Sequence, residues 1–193
     1  MSPVPGTPPP MDFEEFAAIL ATAHDRQSLF DCLVNAPFSN PMATAYLGLG
    51  IIVLLLVDAA KGVIQRMALS DTPAAMGAVR MSAKPFHDIR IPISYPHNVI
   101  AKAIRSGERQ QTTDWKHLFI PDLTPQDARM NQAGAGIECS VVYPLPIQPG
   151  GAFIFSFYEP PEAIGEAHHA FMRRYVQLAS EQLAKLKMNN LFD

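Results

Sequence analysis

The sequence predicts one α+β domain, a central antiparallel sheet of five to six strands with helices segregated against it. Three observations carry this. A dense apolar run at residues 48–57 lacks polar alternation, the pattern of a strand buried on both faces. Two hairpin patterns, at 48–69 and 137–158, bracket shorter extended segments. Helical periodicity with capping residues marks both ends of the chain and two stretches between the hairpins.

Taken in order, residues 11–36 read as one broken helix or two consecutive helices. Phe13, Phe16, Ala17 and Leu20, then Leu29, Phe30 and Leu33, recur at three-and-four spacing, and Asp25 is placed to cap the second piece. Pro37 and Pro41, with Ser39 and Asn40, end the helical stretch. The run 48–57 is expected at the centre of its sheet. Residues 58–62 turn it into a second strand, 63–69, on which Val63, Gln65, Met67 and Leu69 share one face. Residues 70–85, rich in small residues and Met and containing Pro73 and Gly77, read as a loop holding at most a short helix, and 89–93 as a short extended piece.

A compact helix is expected to start at Ser94 or Pro96 and run through Ser106, with Gly107 where a left-handed cap is needed. A strand at 109–113 follows, then a helix at 121–133 with Thr124 as its cap and Pro125 at its first position. Strands at 137–145 and 152–158 close the sheet around the turn PIQPGG. The last helix, 162–188, carries Met172, Val176, Ala179, Leu183 and Leu186 in steps of four and three, widened by Phe171, Tyr175 and Leu178. Such a stripe can cover the sheet and also meet a partner helix, which predicts a homodimer through the N- and C-terminal helices.

Composition excludes several classes. A length of 193 residues favours a single domain, placed at 11–193 behind a flexible Pro-rich leader at 1–10 that has none of the charged and apolar regions of a signal peptide. The net charge of −3 leaves no broad basic surface, so nucleic acid is a poor partner. The strongest apolar run ends at Asp58 after a dozen residues, short of the about 20 a membrane helix needs, so no membrane partner is expected. Cys32 and Cys139 are far apart, with no CxxC and no histidine at ligand spacing; that argues against zinc or a disulfide framework and fits a reducing cytoplasm. Adjacent His168 and His169 do not share a helix face as a metal pair must. No Gly-rich phosphate cradle, GxSxG, HExxH or paired-carboxylate motif occurs, so catalysis is not expected.

A family resemblance rests on two segments. VIAKAIRSGERQQTTDW, residues 99–115, resembles the GAF-domain stretch in which a short helix ends at Ser-Gly and feeds a strand finishing in Asp. CSVVYPLPIQPGGAFIFSF, residues 139–157, resembles the same family's closing hairpin. The resemblance implies a GAF-like (profilin-like) layout, with terminal helices on one face of the sheet and loops plus short helices on the other. It also implies a cup that binds a small ligand, such as a cyclic nucleotide, a tetrapyrrole, haem or an amino acid, or a domain that only dimerises. Arg90, His97, Trp115, His117, Cys139 and Tyr143 are the candidates for the cup's rim and floor. Loops at 71–88 and 115–122 would roof it, with Met76, Met81, Phe86 and Phe119 as apolar lining.

The ligand itself stays open. The Cys-His pair of bilin-binding members and the Asn-Lys-Phe-Asp-Glu set of cyclic-nucleotide binders are missing, while His87, His97 or His117 could serve as an axial haem ligand. GAF-type reductases of free methionine sulfoxide supply an enzymatic alternative in which Cys139 would be the thiol, although their reactive cysteine comes a few residues earlier. The expected role is a small-molecule-sensing or regulatory domain that signals through dimeric terminal helices to a kinase or other output, on a longer protein or in trans.

Overall fold

The computed structural model describes residues 11–186; the Pro-rich leader at 1–10 and the expected helix end at 187–188 lie outside the described residues. Six strands form one sheet: β1 (Leu49–Asp58), β2 (Val63–Leu69), β3 (Arg90–Pro92), β4 (Gln110–Thr112), β5 (Cys139–Leu145) and β6 (Gly151–Phe157), in the spatial order β3-β2-β1-β6-β5-β4. Every neighbouring pair is antiparallel. β1 lies in the middle and all ten of its residues are buried, because helices cover both faces.

Strand parity divides the interior into two cores. Leu49, Ile52, Leu54 and Leu56 of β1 face one side together with Phe153, Phe155 and Phe157 of β6 and Cys139 and Val141 of β5. Ile51, Val53, Leu55 and Val57 face the other, together with Ile154 and Val142. The first side is covered by α1 (Phe13–Ala21), α2 (Arg26–Asn35) and α7 (Glu166–Lys185). Asp12 caps α1 by accepting the Glu14 and Glu15 N–H groups, and Asp25 caps α2 in a reciprocal box with Ser28. The expected break in the N-terminal helix therefore falls where its cap stands.

The apolar stripe of α7 is used inside the chain. Phe171, Met172, Tyr175, Val176, Ala179 and Leu183 are all buried against the sheet and the first two helices. Phe16, Phe155, Phe171 and Tyr175 pack ring against ring, and the Tyr175 hydroxyl donates to the Leu33 carbonyl at 2.7 Å. The width that suggested a partner helix is explained by this internal packing. At the start of α7, His168 Nδ1 accepts the Gly165 N–H at 3.2 Å, so its Nε2–H donates to the Leu47 carbonyl at 3.1 Å.

The second side is covered by α3 (Pro73–Arg80), α4 (Val99–Ser106), α5 (Lys116–Phe119) and α6 (Pro125–Ala135). α4 starts at Val99, later than Ser94 or Pro96, because the Asn98 side chain is the cap: its Oδ1 accepts the Ile100 and Ala101 N–H groups. Gly107 ends α4 in the left-handed conformation, and Thr124 caps α6, both as the sequence predicts. α3 and α6 touch backbone to backbone, since a Cβ on Gly77 would lie 2.0 Å from the Gly134 carbonyl oxygen. Two glycines at the crossing permit that approach.

One strand face differs from the pattern read in the sequence. On β2 the pairing skips Met67, with Leu54 opposite Ala68 and Leu55 opposite Arg66. This bulge reverses the alternation beyond it. Leu69 therefore joins Ile64 on the side of the short helices, while Met67 and Ala68 pack with the terminal helices.

Candidate functional site

Between the sheet and α3, α5 and α6 lies a cavity with about 50 Å³ open to the centres of water molecules. Ile51, Val53, Leu69 and Ile154 form its floor, Ala78 and Val79 of α3 and Leu118 and Phe119 of α5 its roof, and Phe86, Ile89 and Trp115 its sides. Four polar residues also line it: Arg66, Ser82, Asn131 and Ser156.

Arg66 reaches this wall because the alternation of β2 up to the bulge puts it beside Ile64 on the cup face. It is 5% exposed. Its guanidinium lies over the Phe119 ring, 4.6 Å from the centroid, and Nη2 donates to the Leu118 carbonyl at a long 3.4 Å, while Nη1 has no hydrogen-bond partner. Burial lowers its pKa to about 10, partly offset by Asp122 and reinforced by Arg90, so it remains cationic at neutral pH. The same Leu118 carbonyl accepts from Asn98 Nδ2 at 3.2 Å, and Asn98 also donates to the Ile120 carbonyl, which ties α5 to the start of α4.

Asn131, 3% exposed, contributes a second unpartnered atom, Oδ1. Its Nδ2 donates to Ser82 Oγ at 3.3 Å, and the Ser82 hydroxyl in turn donates to the Lys84 carbonyl at 2.7 Å. That chain fixes the amide orientation and leaves a bare acceptor. A third polar group spans two strands: Trp115 Nε1–H donates to Ser140 Oγ at 2.9 Å, and Ser140 pairs with Ser156 at 2.8 Å.

Of the six residues singled out from the sequence, Trp115 lines the cavity. The other five do not. Cys139 and Tyr143 lie on the opposite face of the sheet, since β5 parity turns Ser140 and Val142 toward the cup. Tyr143 instead borders an open groove with Arg173 and Gln177 of α7. Arg90 folds its guanidinium back onto the His87 and Ile89 carbonyls. His97 is exposed and packs edge-on against Tyr95. His117 is half-buried on α5, away from the cavity lining. Among the expected lining residues Phe86 and Phe119 are in place, whereas Met76 and Met81 are exposed.

Two chemistries can be tested against this geometry. Cys139 is fully buried among apolar side chains, which pushes its thiol up to about 11, the reverse of what a reactive thiolate needs. A tetrapyrrole does not fit a space this small, since pockets for drug-sized ligands run to about 300–1,000 Å³. None of His87, His97 and His117 lines it, and the described residues hold no group of three or more metal-ligating side chains.

No protein-family model and no curated protein sequence matches the chain. Among solved structures, the GAF domain of a phosphoenolpyruvate-protein phosphotransferase from Coxiella burnetii matches with a TM-score of 0.61 at 14% identity, covering 91% of this chain and 92% of that one. The fold is GAF-like. A domain of a putative two-component sensor histidine kinase from Sinorhizobium meliloti matches with a TM-score of 0.53 at 12% identity over 86% of this chain and 96% of that one. The free methionine-R-sulfoxide reductase of Neisseria meningitidis, in complex with its substrate, matches with a TM-score of 0.53 at 13% identity over 88% and 84%. The GAF-like fold is thus shared by signalling proteins and an enzyme, and at these identities it carries no specific activity. No helix among the described residues is long and apolar enough to cross a membrane.

Proposed function

We propose that this GAF-like domain is a non-catalytic sensory or regulatory module that binds a small molecule in the cup beneath α3, α5 and α6. One observation carries the reading: a mostly apolar cavity lined by Arg66 and Asn131, two buried residues that each keep a polar side-chain atom without a hydrogen-bond partner. Cores built only for stability close such spaces and pair such atoms. Similarity to domains of signalling proteins supports a regulatory role. The reductase alternative gains no thiol at the site, since neither cysteine lines the cavity.

Occupancy of the cup would reach α7 through the sheet, because Ile154 borders the cavity while its neighbours Phe153 and Phe155 pack against Tyr175. The output, a kinase or another partner, would read that displacement, with or without pairing of the terminal helices in a cytoplasmic homodimer. Native mass spectrometry and thermal shift on the full chain against acids, amides, alcohols and amines of fewer than about ten heavy atoms test the reading. Saturable stabilisation by any of them is expected. Absence of binding across the whole panel would remove it. Light scattering with and without ligand decides whether pairing is part of the output.

A further inference from the structure

A small-molecule cup leaves the ligand's chemistry unstated, and the cup wall narrows it. Arg66 has no carboxylate within ion-pair distance among the described residues. The acid that acts on it most, Asp122, is already held by Lys84 Nζ at 2.7 and 2.9 Å and by the Arg90 N–H at 3.1 Å. Asp122 is thus shared between Lys84, its ion-pair partner, and Arg66, whose own charge is opposed by Arg90. A buried cation with one long hydrogen bond and a bare Nη1 lacks the partner that buried charges ordinarily keep. No described side chain supplies it.

The remaining wall groups set further requirements. Asn131 Oδ1 is an acceptor in need of a donor. In the Ser140–Ser156 pair one hydroxyl proton is donated within the pair; when Ser140 is the donor, the Ser156 proton is left at the cup wall. Ser82, the fourth polar residue, is already satisfied by Asn131 and the Lys84 carbonyl, and the rest of the lining is apolar. About 50 Å³ of water-centre space corresponds to about four water molecules, the scale of a ligand on the order of five heavy atoms.

We propose that the cup takes a short-chain carboxylate whose anionic head pairs with Arg66, whose hydrocarbon body lies along Ile51, Val53 and Phe86, and which carries a hydroxyl or ammonium donor for Asn131. This rests on the small-molecule reading of the same cavity and gives it a chemical class. The guanidinium is suited to such a head group, because its central carbon lies over the Phe119 ring, 4.6 Å from the centroid, which helps hold it in place, and because a fixed fork of N–H groups recognises a carboxylate better than a lysine does.

Calorimetry and thermal shift on the full chain, with propionate and lactate set against propionamide and lactamide, test the class. Both acids are expected to bind and to raise the melting temperature, lactate more than propionate, and the amides to do neither. Arg66→Met is expected to lose ten- to a hundredfold in acid affinity while melting at or above the parent temperature without ligand, because an unpaired buried charge has been removed. Arg66→Lys keeps part of the affinity. Amides binding as well as acids, or Arg66→Met binding acids unchanged, overturns the carboxylate assignment and leaves the cup as a ligand site. An Arg66→Met chain melting well below the parent assigns the guanidinium to the scaffold and overturns it as well. Failure of acids, amides and neutral alcohols alike removes the small-molecule reading together with this one.

Discussion

The two faces of the sheet bury similar strands but are finished differently. On the side of the terminal helices, aromatic rings interlock and the hydroxyl of the fully buried Tyr175 has a 2.7 Å partner. On the side of the short helices the fill is smaller, a cavity remains, and two of the three buried side-chain polar atoms without partners among the described residues are found there, on Arg66 and Asn131. The first face is packed for stability. The second gives up packing and hydrogen bonds that a guest could restore.

Adjacent residues of β6 make the contrast measurable. Phe155→Ala, on the aromatic side, is expected to cost about 4 kcal/mol in urea denaturation, because the hole it leaves is walled by rings that cannot collapse into it. Gly77→Ala is expected to cost about 2–3 kcal/mol net: alanine favours helix, but its Cβ overlaps the Gly134 carbonyl and forces α3 off α6. Loss of ligand binding at temperatures where this variant is still folded would show that the crossing holds the roof. Ile154→Ala, one residue from Phe155 but on the cup floor, is expected to cost only about 2 kcal/mol, since it borders space that is already empty, and to admit bulkier ligands. Equal costs for Phe155→Ala and Ile154→Ala would erase the distinction between the faces.

The smallest effect is in pH. Burial lowers the pKa of His168 below its ordinary 6.5, against the opposing pull of the Leu47 carbonyl and Glu159. The unfolded chain therefore binds the proton more readily. The stability that neutral His168 contributes is complete above pH 6.5 and declines as the pH falls below it. His169 is shifted the same way, chiefly by burial, so His168→Gln should flatten the melting-temperature profile between pH 7 and 5 only in part. A profile unchanged by that substitution would show that the ring is not held neutral by the fold.

Much of the architecture was legible because it depends on local chemistry. The buried run of β1 lacks polar alternation, Asp25 and Thr124 stand at helix starts, and Gly107 is a left-handed end; each was readable at its own position. The cup was less legible. Both faces of the sheet are apolar, so alternation along β5 could not reveal that Cys139 and Tyr143 turn away from the short helices. The bulge at Met67 depends on pairing across strands and hid the side to which Leu69 belongs. α5 is too short for periodicity to detect. The available signal was Arg66 itself, a charge inside a strand between Ile64 and Ala68, where burial makes an unneutralised cation conspicuous.

The chain contains a single tryptophan, and its indole stands on the cup wall. Its N–H is linked through Ser140 to Ser156, a residue that an arriving guest would touch. The native protein thus carries an intrinsic fluorophore at the position of interest, and filling of the cup should change its emission without any dye or label.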